Sequence, residues 1–501
     1  MNLNRRKFIQ LAGSGMTALA VPPLFAGQAS AYPCATVGKP VVVVIFLRGG
    51  ADSLTHVLPD PMNSRSPVEL EQITAYNAAR PSIAVNENDI VQLTQNYSDP
   101  NHQIQAIPAG LHANYFGANS ALDELFDEHY SNAIASKNNL AVVHACGNTG
   151  IPNYSHFTAQ DALERGVESP IHASSGWLTR AVEAVAAVDT QNNTPLNGVS
   201  ISANPIASLS GGTQNLTLAL PSIKNFGLTR DQHPPGAREA ALAAIYSQLR
   251  NGPTNTVASS TILAKAGQGL FQALDAVNGE TMGIPDLPPS GLDAGKYLGP
   301  HLPSQMQNRL SDAARLIKQP AFGVRAVAMD FHGNWDYHTD SVGQTPGYTM
   351  RLAATLKRFY DDLNHPFAGG IAAERVVTIV MSEFGRTVRE NGLGGPAPGT
   401  DHGHGGAMYV MGAGVHGGRV LCRADGETDL KRVGWPGLRD ADLHLTRDLK
   451  ATIDARDVLA EVVQQQFPEV TDIPGLFNPT GNHPYTPVAL PDDGLFPLGC
   501  S

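Results

Sequence analysis

The chain has 501 residues, 42% hydrophobic and 16% charged, the balance of a globular protein able to bury a large core. Its 34 Lys and Arg against 45 Asp and Glu leave a formal net charge of −11. No basic run beyond the first residues is long enough to grip nucleic acid or an anionic membrane, so neither is expected as a partner. With 50 Gly and 36 Pro, long loops should decorate the core.

The first segment reads as an address. Asn4-Arg5-Arg6-Lys7-Phe8-Ile9-Gln10 sets two arginines ahead of an apolar residue, and Leu11 to Phe25 is mildly apolar and broken at Pro22-Pro23. Ala29-Ser30-Ala31 is the small-x-small pattern that a signal peptidase accepts. The sequence therefore predicts a twin-arginine signal peptide over 1–31, cleaved near Ala31. The twin-arginine export machinery is then a partner, and the periplasm or the exterior the destination. The apolar run falls short of the roughly 20 residues a spanning helix needs. No cysteine directly follows the small residues, since Cys34 lies beyond Tyr32 and Pro33, so no stable membrane anchor is expected.

Removing the signal leaves 501 − 31 = 470 residues, and Cys34, Cys146, Cys422 and Cys500 remain. Four cysteines allow three pairings, and a Cys34–Cys500 bridge would tie the two ends. No CxxC or CxxCH supports a zinc ribbon, a thioredoxin-like site or a c-type haem.

In chain order, short β-branched runs at Val41–Leu47, Leu140–His144, Gly323–Met329, Val376–Met381 and Ala407–Met411 predict buried parallel strands. Helical patterns alternate with them at Ala118–Ser136, Gly176–Val188, Ala237–Arg250, Ser304–Lys318, Tyr348–Leu363 and Ala455–Phe467. Strand, long crossover, strand predicts an α/β fold with a doubly wound, mostly parallel sheet and helices on both faces. One domain over 32–478 is expected. Residues 198–303, rich in Ser, Asn, Gly and Pro, would be an inserted cap, and 479–501 a Pro- and Gly-rich tail on the surface.

Ligands of doubly wound sheets bind at the carboxyl ends of the strands, so the polar residues following each run are the candidates. These are Arg48-Gly49-Gly50-Ala51-Asp52-Ser53, His144 followed by Asn153-Tyr154-Ser155-His156-Phe157, and Asp330 through Asp336-Tyr337-His338. Ser382-Glu383-Phe384-Gly385-Arg386-Thr387 and the loop Asp401-His402-Gly403-His404-Gly405 complete the set. A lone Asp after a strand is commonly a helix cap, and a lone His a satisfied core residue. Several such segments meeting at one edge point instead to a shared polar, metal-binding site of carboxylates and imidazoles. Gly412-Ala413-Gly414-Val415-His416-Gly417 matches G-x-G-x-x-G, but Arg419-Val420-Leu421 reads as a strand where a nucleotide site needs a helix.

The twin-arginine leader, Leu47-Arg48-Gly49-Gly50-Ala51-Asp52, Ser155-His156-Phe157, Asp336-Tyr337-His338, Ser382 through Thr387 and Asp401-His402-Gly403 occur in an order that resembles an exported bacterial family. That family is domain of unknown function fifteen-oh-one, within the alkaline-phosphatase-like (sulfatase-like) superfamily. The resemblance covers the chain from Met1 to about Phe467. It implies one or two divalent metal ions (zinc, manganese, iron or calcium) and hydrolysis or transfer of phosphate or sulfate esters, with a small ester as substrate. Carried over by residue, Asp52, Asp336, His338, Glu383 and His404 would hold metal, with His402 or His156 assisting or ligating. Ser53, or Ser155 beside His156, would be the nucleophile, and Arg48 would clamp an oxyanion with its planar guanidinium. The superfamily places Asp-His where this chain has Glu383-Phe384, and relatives carry glycine at the position of Ser53. Two other expectations stand beside the enzyme. One is a non-catalytic periplasmic binding or scaffold protein with a degenerate metal site and an unknown protein partner. The other is a redox enzyme, against which the missing cofactor motifs count.

Overall fold

Six consecutive apolar residues without polar alternation, Val41–Phe46, form β1, buried on both faces at the centre of a sheet. The structure is a computed structural model. It describes residues 38–60, 67–93, 116–130, 137–150, 152–189, 196–214, 216–223, 304–331, 333–365, 371–392, 397–425, 435–491 and 494–496, with three positions between 240 and 244. The strands that follow are β2 (Val57–Pro59), β3 (Ile90–Gln92), β4 (Phe116–Asn119), β5 (Leu140–Gly147), β6 (Gly198–Ser200) and β7 (Thr217–Ala219). Then come β8 (Ala326–Asp330), β9 (Val376–Met381), β10 (Gly406–Gly412), β11 (Arg419–Leu421) and β12 (Ile453–Asp454).

The main sheet runs β11-β5-β10-β9-β1-β8-β6-β7, with β12 also paired to β5. β1 lies parallel to β8 and β9, with Val43 opposite Val327 and Thr378. β6 is parallel to β7 and β8, and β11 and β12 are parallel to β5. The exception is β10, antiparallel to both β5 and β9, which corrects the expectation that Ala407–Met411 runs with the others. The described part of the chain between Met381 and Gly406 contains no crossover helix. A chain that turns back through a loop re-enters the sheet from the edge it left.

Alternation along β1 feeds two cores. Val41, Val43 and Ile45 pack with the helices Ser304–Lys318 and Ser341–Asn364. Val42, Val44 and Phe46 pack with Trp177–Val188 and Ala455–Gln466 on the other face. The first of these helices buries Met306, Leu310, Ala313, Ala314 and Ile317, an i, i+4, i+7, i+8, i+11 stripe, and ends with Arg315 and Lys318 at its negative pole. The result is a mixed α/β fold with a mostly parallel sheet covered on both faces, compatible with a doubly wound architecture.

Some boundaries differ from expectation. The predicted helix over 118–136 begins with β4, the middle of a three-stranded sheet β2-β4-β3, and its helical part is Asp123–His129. Asn119 explains the switch, because its side chain accepts from Ala121 N and starts the helical turn there. The predicted cap opens with β6 and β7, which are strands of the main sheet, while 245–303 lie outside the described residues. The tail is packed into the second core by Tyr485, Leu490, Leu495 and Phe496, and Tyr485 donates to Asp457 Oδ1 at 2.8 Å. Residues 1–31, Cys34, Cys500 and nearly all of 237–250 also lie outside the described residues, whereas Cys146 is a buried free thiol and Cys422 is buried. Among the described residues no helix is long and apolar enough to cross a membrane.

Candidate metal centre

Four chain segments meet at the edge where β1, β8 and β9 end. Gly49, at φ +119°, lets the turn after β1 pass against the loop after β8, since a Cβ there would lie 2.5 Å from Asp336 N. Trp335 N donates to Arg48 O at 2.9 Å, which fixes that loop and aims Asp336 and His338. His402 comes from the glycine-rich loop before β10, paired by a β-bridge to Arg386 beyond β9. His156 is the first residue of the helix His156–Arg165.

Their ring nitrogens surround one carboxylate. His156 Nε2 lies 3.3 Å from Asp336 Oδ2, while His402 Nε2 and His338 Nε2 lie 3.3 and 3.0 Å from Asp336 Oδ1. His338 Nε2 and His402 Nε2 are 3.1 Å apart. The ligand atoms of His156, Asp336 and His402 all fall within 4.8 Å of one another, and this group can hold a metal ion.

The opposite ring nitrogens decide the tautomers. His156 Nδ1 meets Glu383 Oε1 at 2.7 Å, His402 Nδ1 meets the Tyr154 carbonyl at 2.6 Å, and His338 Nδ1 meets Asp401 Oδ1 at 3.0 Å. Each of these oxygens only accepts, so each Nδ1 carries a proton, and a ring that is neutral then presents an Nε2 lone pair on the Asp336 side. His156 Nε2 is buried and has no hydrogen-bond partner, its approach to Asp336 being close in distance only. A metal ligating four groups tetrahedrally at 2.0–2.1 Å would hold them about 3.3 Å apart. The separations of 3.0 to 3.3 Å from Asp336 fit that spacing, and His156, Asp336 and His402 form the mutually close group, with His338 beside Asp336 and His402.

The charges around the cluster are mixed, carboxylates of Asp336 and Glu383 beside the guanidinium of Arg386. Burial raises the pKa of Asp336, but the bond and charge of Arg386 outweigh it and hold the carboxyl below its usual range. Glu383 is likewise held low, burial being outweighed by hydrogen bonds from His156 and Gln160. Its hydrogen bond with Glu383 raises the pKa of His156. The negative potential that favours a proton on that ring favours a metal cation equally. Desolvation lowers His402, which suits a neutral ligand imidazole.

The other sequence candidates are placed differently. Asp52, expected to hold metal, pairs with Arg80, Oδ2 to Nη1 at 2.7 Å and Oδ1 to Nη2 at 3.1 Å, because Arg80 is wholly buried and needs a counter-charge. Ser53 is buried in the turn after Asp52, and the contacts that define the cluster do not include it. Arg48 is held by Glu164 and Asp330, both at 2.8 Å, so its guanidinium is occupied. Glu383 backs His156 and also accepts from Gly49 N and Gln160, which places it behind that ring rather than in the group of mutually close ligand atoms. His404 bonds the Asn148 carbonyl through Nε2 at 2.8 Å and stands outside the group. Ser155 is exposed at the N-cap position of the following helix and makes no side-chain cap.

Arg386 had no role assigned from sequence. It is buried and donates to the carbonyls of Gly50, Thr400, Gly49 and Trp335 as well as to Asp336, joining three loops. Its place in Ser382 through Thr387 was the available signal, as was Asp401 in the glycine loop. Gln160 was marked only by its i+4 spacing from His156.

The family model described as "Protein of unknown function (DUF1501)" matches residues 39–475. No curated protein matches the chain.

Proposed function

We propose, from the premise that the chain belongs to the DUF1501 family, an exported divalent-metal-dependent hydrolase or transferase of phosphate or sulfate esters, related in fold to the alkaline-phosphatase-like superfamily. One observation carries the reading. Three histidines, each with Nδ1 committed to an oxygen, turn Nε2 toward one carboxylate at the carboxyl ends of a mostly parallel sheet. The leader at 1–31 supports export.

His156, Asp336, His338 and His402 would hold the metal. Three nitrogens and one oxygen favour zinc, iron or manganese over calcium, which takes oxygen ligands. Bound there, the ion would draw charge from the ester's non-bridging oxygens as a Lewis acid. The chain's own groups prepare the site. Glu383, Tyr154 and Asp401 lock the three imidazoles in one tautomer, and Arg386 keeps Asp336 ionised. The Phe384 ring flanks two of these imidazoles, 5.0 Å from that of His156 and 4.8 Å from that of His402. His338 and Asp401, about half exposed, leave the cluster accessible to a small ester.

A non-catalytic binding or scaffold role is the second reading. It is favoured because no hydroxyl stands among the contacts of the cluster in the described residues, and because Arg48 is already paired.

The test is elemental analysis of protein purified through its own export route, beside an Asp336→Ala, His402→Ala variant, followed by assays with 4-nitrophenyl phosphate and sulfate. The expected result is a transition metal that is lost from the variant, together with ester cleavage. Metal in neither protein, or equally in both, overturns the metal centre. Metal bound with both esters left intact selects the scaffold.

A further inference from the structure

The helix His156–Arg165 presents two stripes. His156, Gln160 and Glu164, at i, i+4 and i+8, are polar and bond Glu383 and Arg48 at the metal centre. Ala159, Ala162, Leu163 and the C-capping Gly166, at i, i+3, i+4 and i+7, line a cavity of about 110 Å³, while Leu163 also packs on the second core and Gly166 lies against Trp177 and Phe477. The opposite wall is Phe384, Ala407 and Met408, with Cys146 behind, its sulfur 3.5 Å from that of Met408. Small side chains hold this space open, since residues of ordinary size at Ala159, Ala162 or Ala407 would fill it. The rim carries Arg456, already neutralised by Asp454 at 2.7 Å. Glu168, Glu383 and His404 also line the cavity, so an apolar body would lie against the alanines, Leu163, Phe384 and Met408, away from these polar groups.

The cavity adjoins the metal centre along the same sheet edge. Phe384 belongs to both, touching the rings of His156 and His402 on one side and lining the cavity. Gly403 follows His402, and Asn153 precedes Tyr154, whose carbonyl holds His402. We infer that this cavity receives the apolar group of the ester, an aryl or short branched alkyl group no larger than a single ring, while the oxyanion lies at the metal centre. The inference rests on the proposed function for what lies at the metal. The cavity itself does not depend on it.

The experiment is calorimetric titration of the metal-loaded protein with inorganic phosphate, phenyl phosphate and phenol, repeated on Ala162→Phe and, as a milder filling, Ala159→Leu. Thermal unfolding confirms that each variant is folded. Phenyl phosphate is expected to bind at least about tenfold more tightly than phosphate. The advantage should fall to about twofold or less in the filled variants, with metal content and phosphate affinity unchanged. Equal affinity for the two anions in the unaltered protein, or an advantage that survives both substitutions, overturns the inference. Should neither anion bind, the ester reading fails, and phenol alone decides the cavity. Saturable one-to-one binding lost on filling upholds it as an apolar site, and no saturable binding overturns it.

Discussion

Replacing Asp52 by Ala separates two roles that a carboxylate after the first strand can have. In this fold the carboxylate is the counter-charge of Arg80, whose side chain is 0% exposed. Without it, Arg80 keeps no carboxylate beside it among the described residues, only neutral groups such as the carbonyls of Val388 at 2.8 Å and Thr387 at 2.9 Å and the Tyr76 side chain. Removing one partner of a buried ion pair costs about 3–5 kcal/mol. The lost cap on Leu54 N adds up to about 1 kcal/mol. Asp52→Asn should cost nearly as much, since the shape is retained but Arg80 stays unneutralised. The assay is urea unfolding followed by tryptophan fluorescence, with elemental analysis of the folded protein. Both variants should unfold at clearly lower urea yet bind as much metal as the parent. A variant with an unshifted midpoint and no metal would refute the argument and return Asp52 to the metal.

Further outcomes follow from the same geometry. Glu383→Gln, which weakens the acceptor behind His156, should lower metal affinity about 10- to 100-fold in a competitive chelator titration. His56 and His144 are buried as neutral rings, and desolvation lowers each from 6.5 to about 4. His144 is committed to that form, with Nε2 donating to Val57 O at 3.0 Å and Nδ1 accepting from Ala145 N and Trp435 Nε1. Between pH 6.5 and 4 the unfolded chain binds more protons, so this stability is present above 6.5 and is lost as pH falls toward 4. Each ring accounts for about 3 kcal/mol of that loss, seen as a falling unfolding midpoint, and the slope should be shallower in His144→Gln. Leu495→Ala, in the buried tail, should cost about 2–5 kcal/mol of unfolding free energy in a denaturant titration, whereas a tail resting on the surface would lose almost nothing. Ser53→Ala should leave metal content and any ester cleavage unchanged in paired assays.

Much of the scaffold was legible because apolar runs report burial directly. Val376–Met381 and Ser304–Lys318 fall where their patterns placed them. The direction of β10 was not legible, because a run such as Ala407–Met411 has the same composition whichever way it points. Asp336, His338 and His402 could be found from their places after strands. Asp52 and His404 looked equivalent on that criterion, and only their partners, Arg80 and the Asn148 carbonyl, distinguish them. Those partners come from distant stretches with no local signature. The stripe on His156–Arg165 shows the same limit, since an apolar face reads alike whether it meets a core throughout or also lines a cavity.

The reversal of β10 bears on when the metal centre can exist. His402 reaches Asp336 only after the chain has returned to the edge it left at β9, and His156 arrives from another layer altogether. Short stretches such as Asp336-Tyr337-His338 supply at most a pair of the proposed ligands, so the unfolded chain would hold a cation more weakly, and binding would favour the finished protein. At a free-ion concentration of a hundred times Kd the bias is about 2.7 kcal/mol. Occupancy would therefore act as a certificate of maturity, and a molecule still assembling its sheet would be recognisable by its failure to retain the ion.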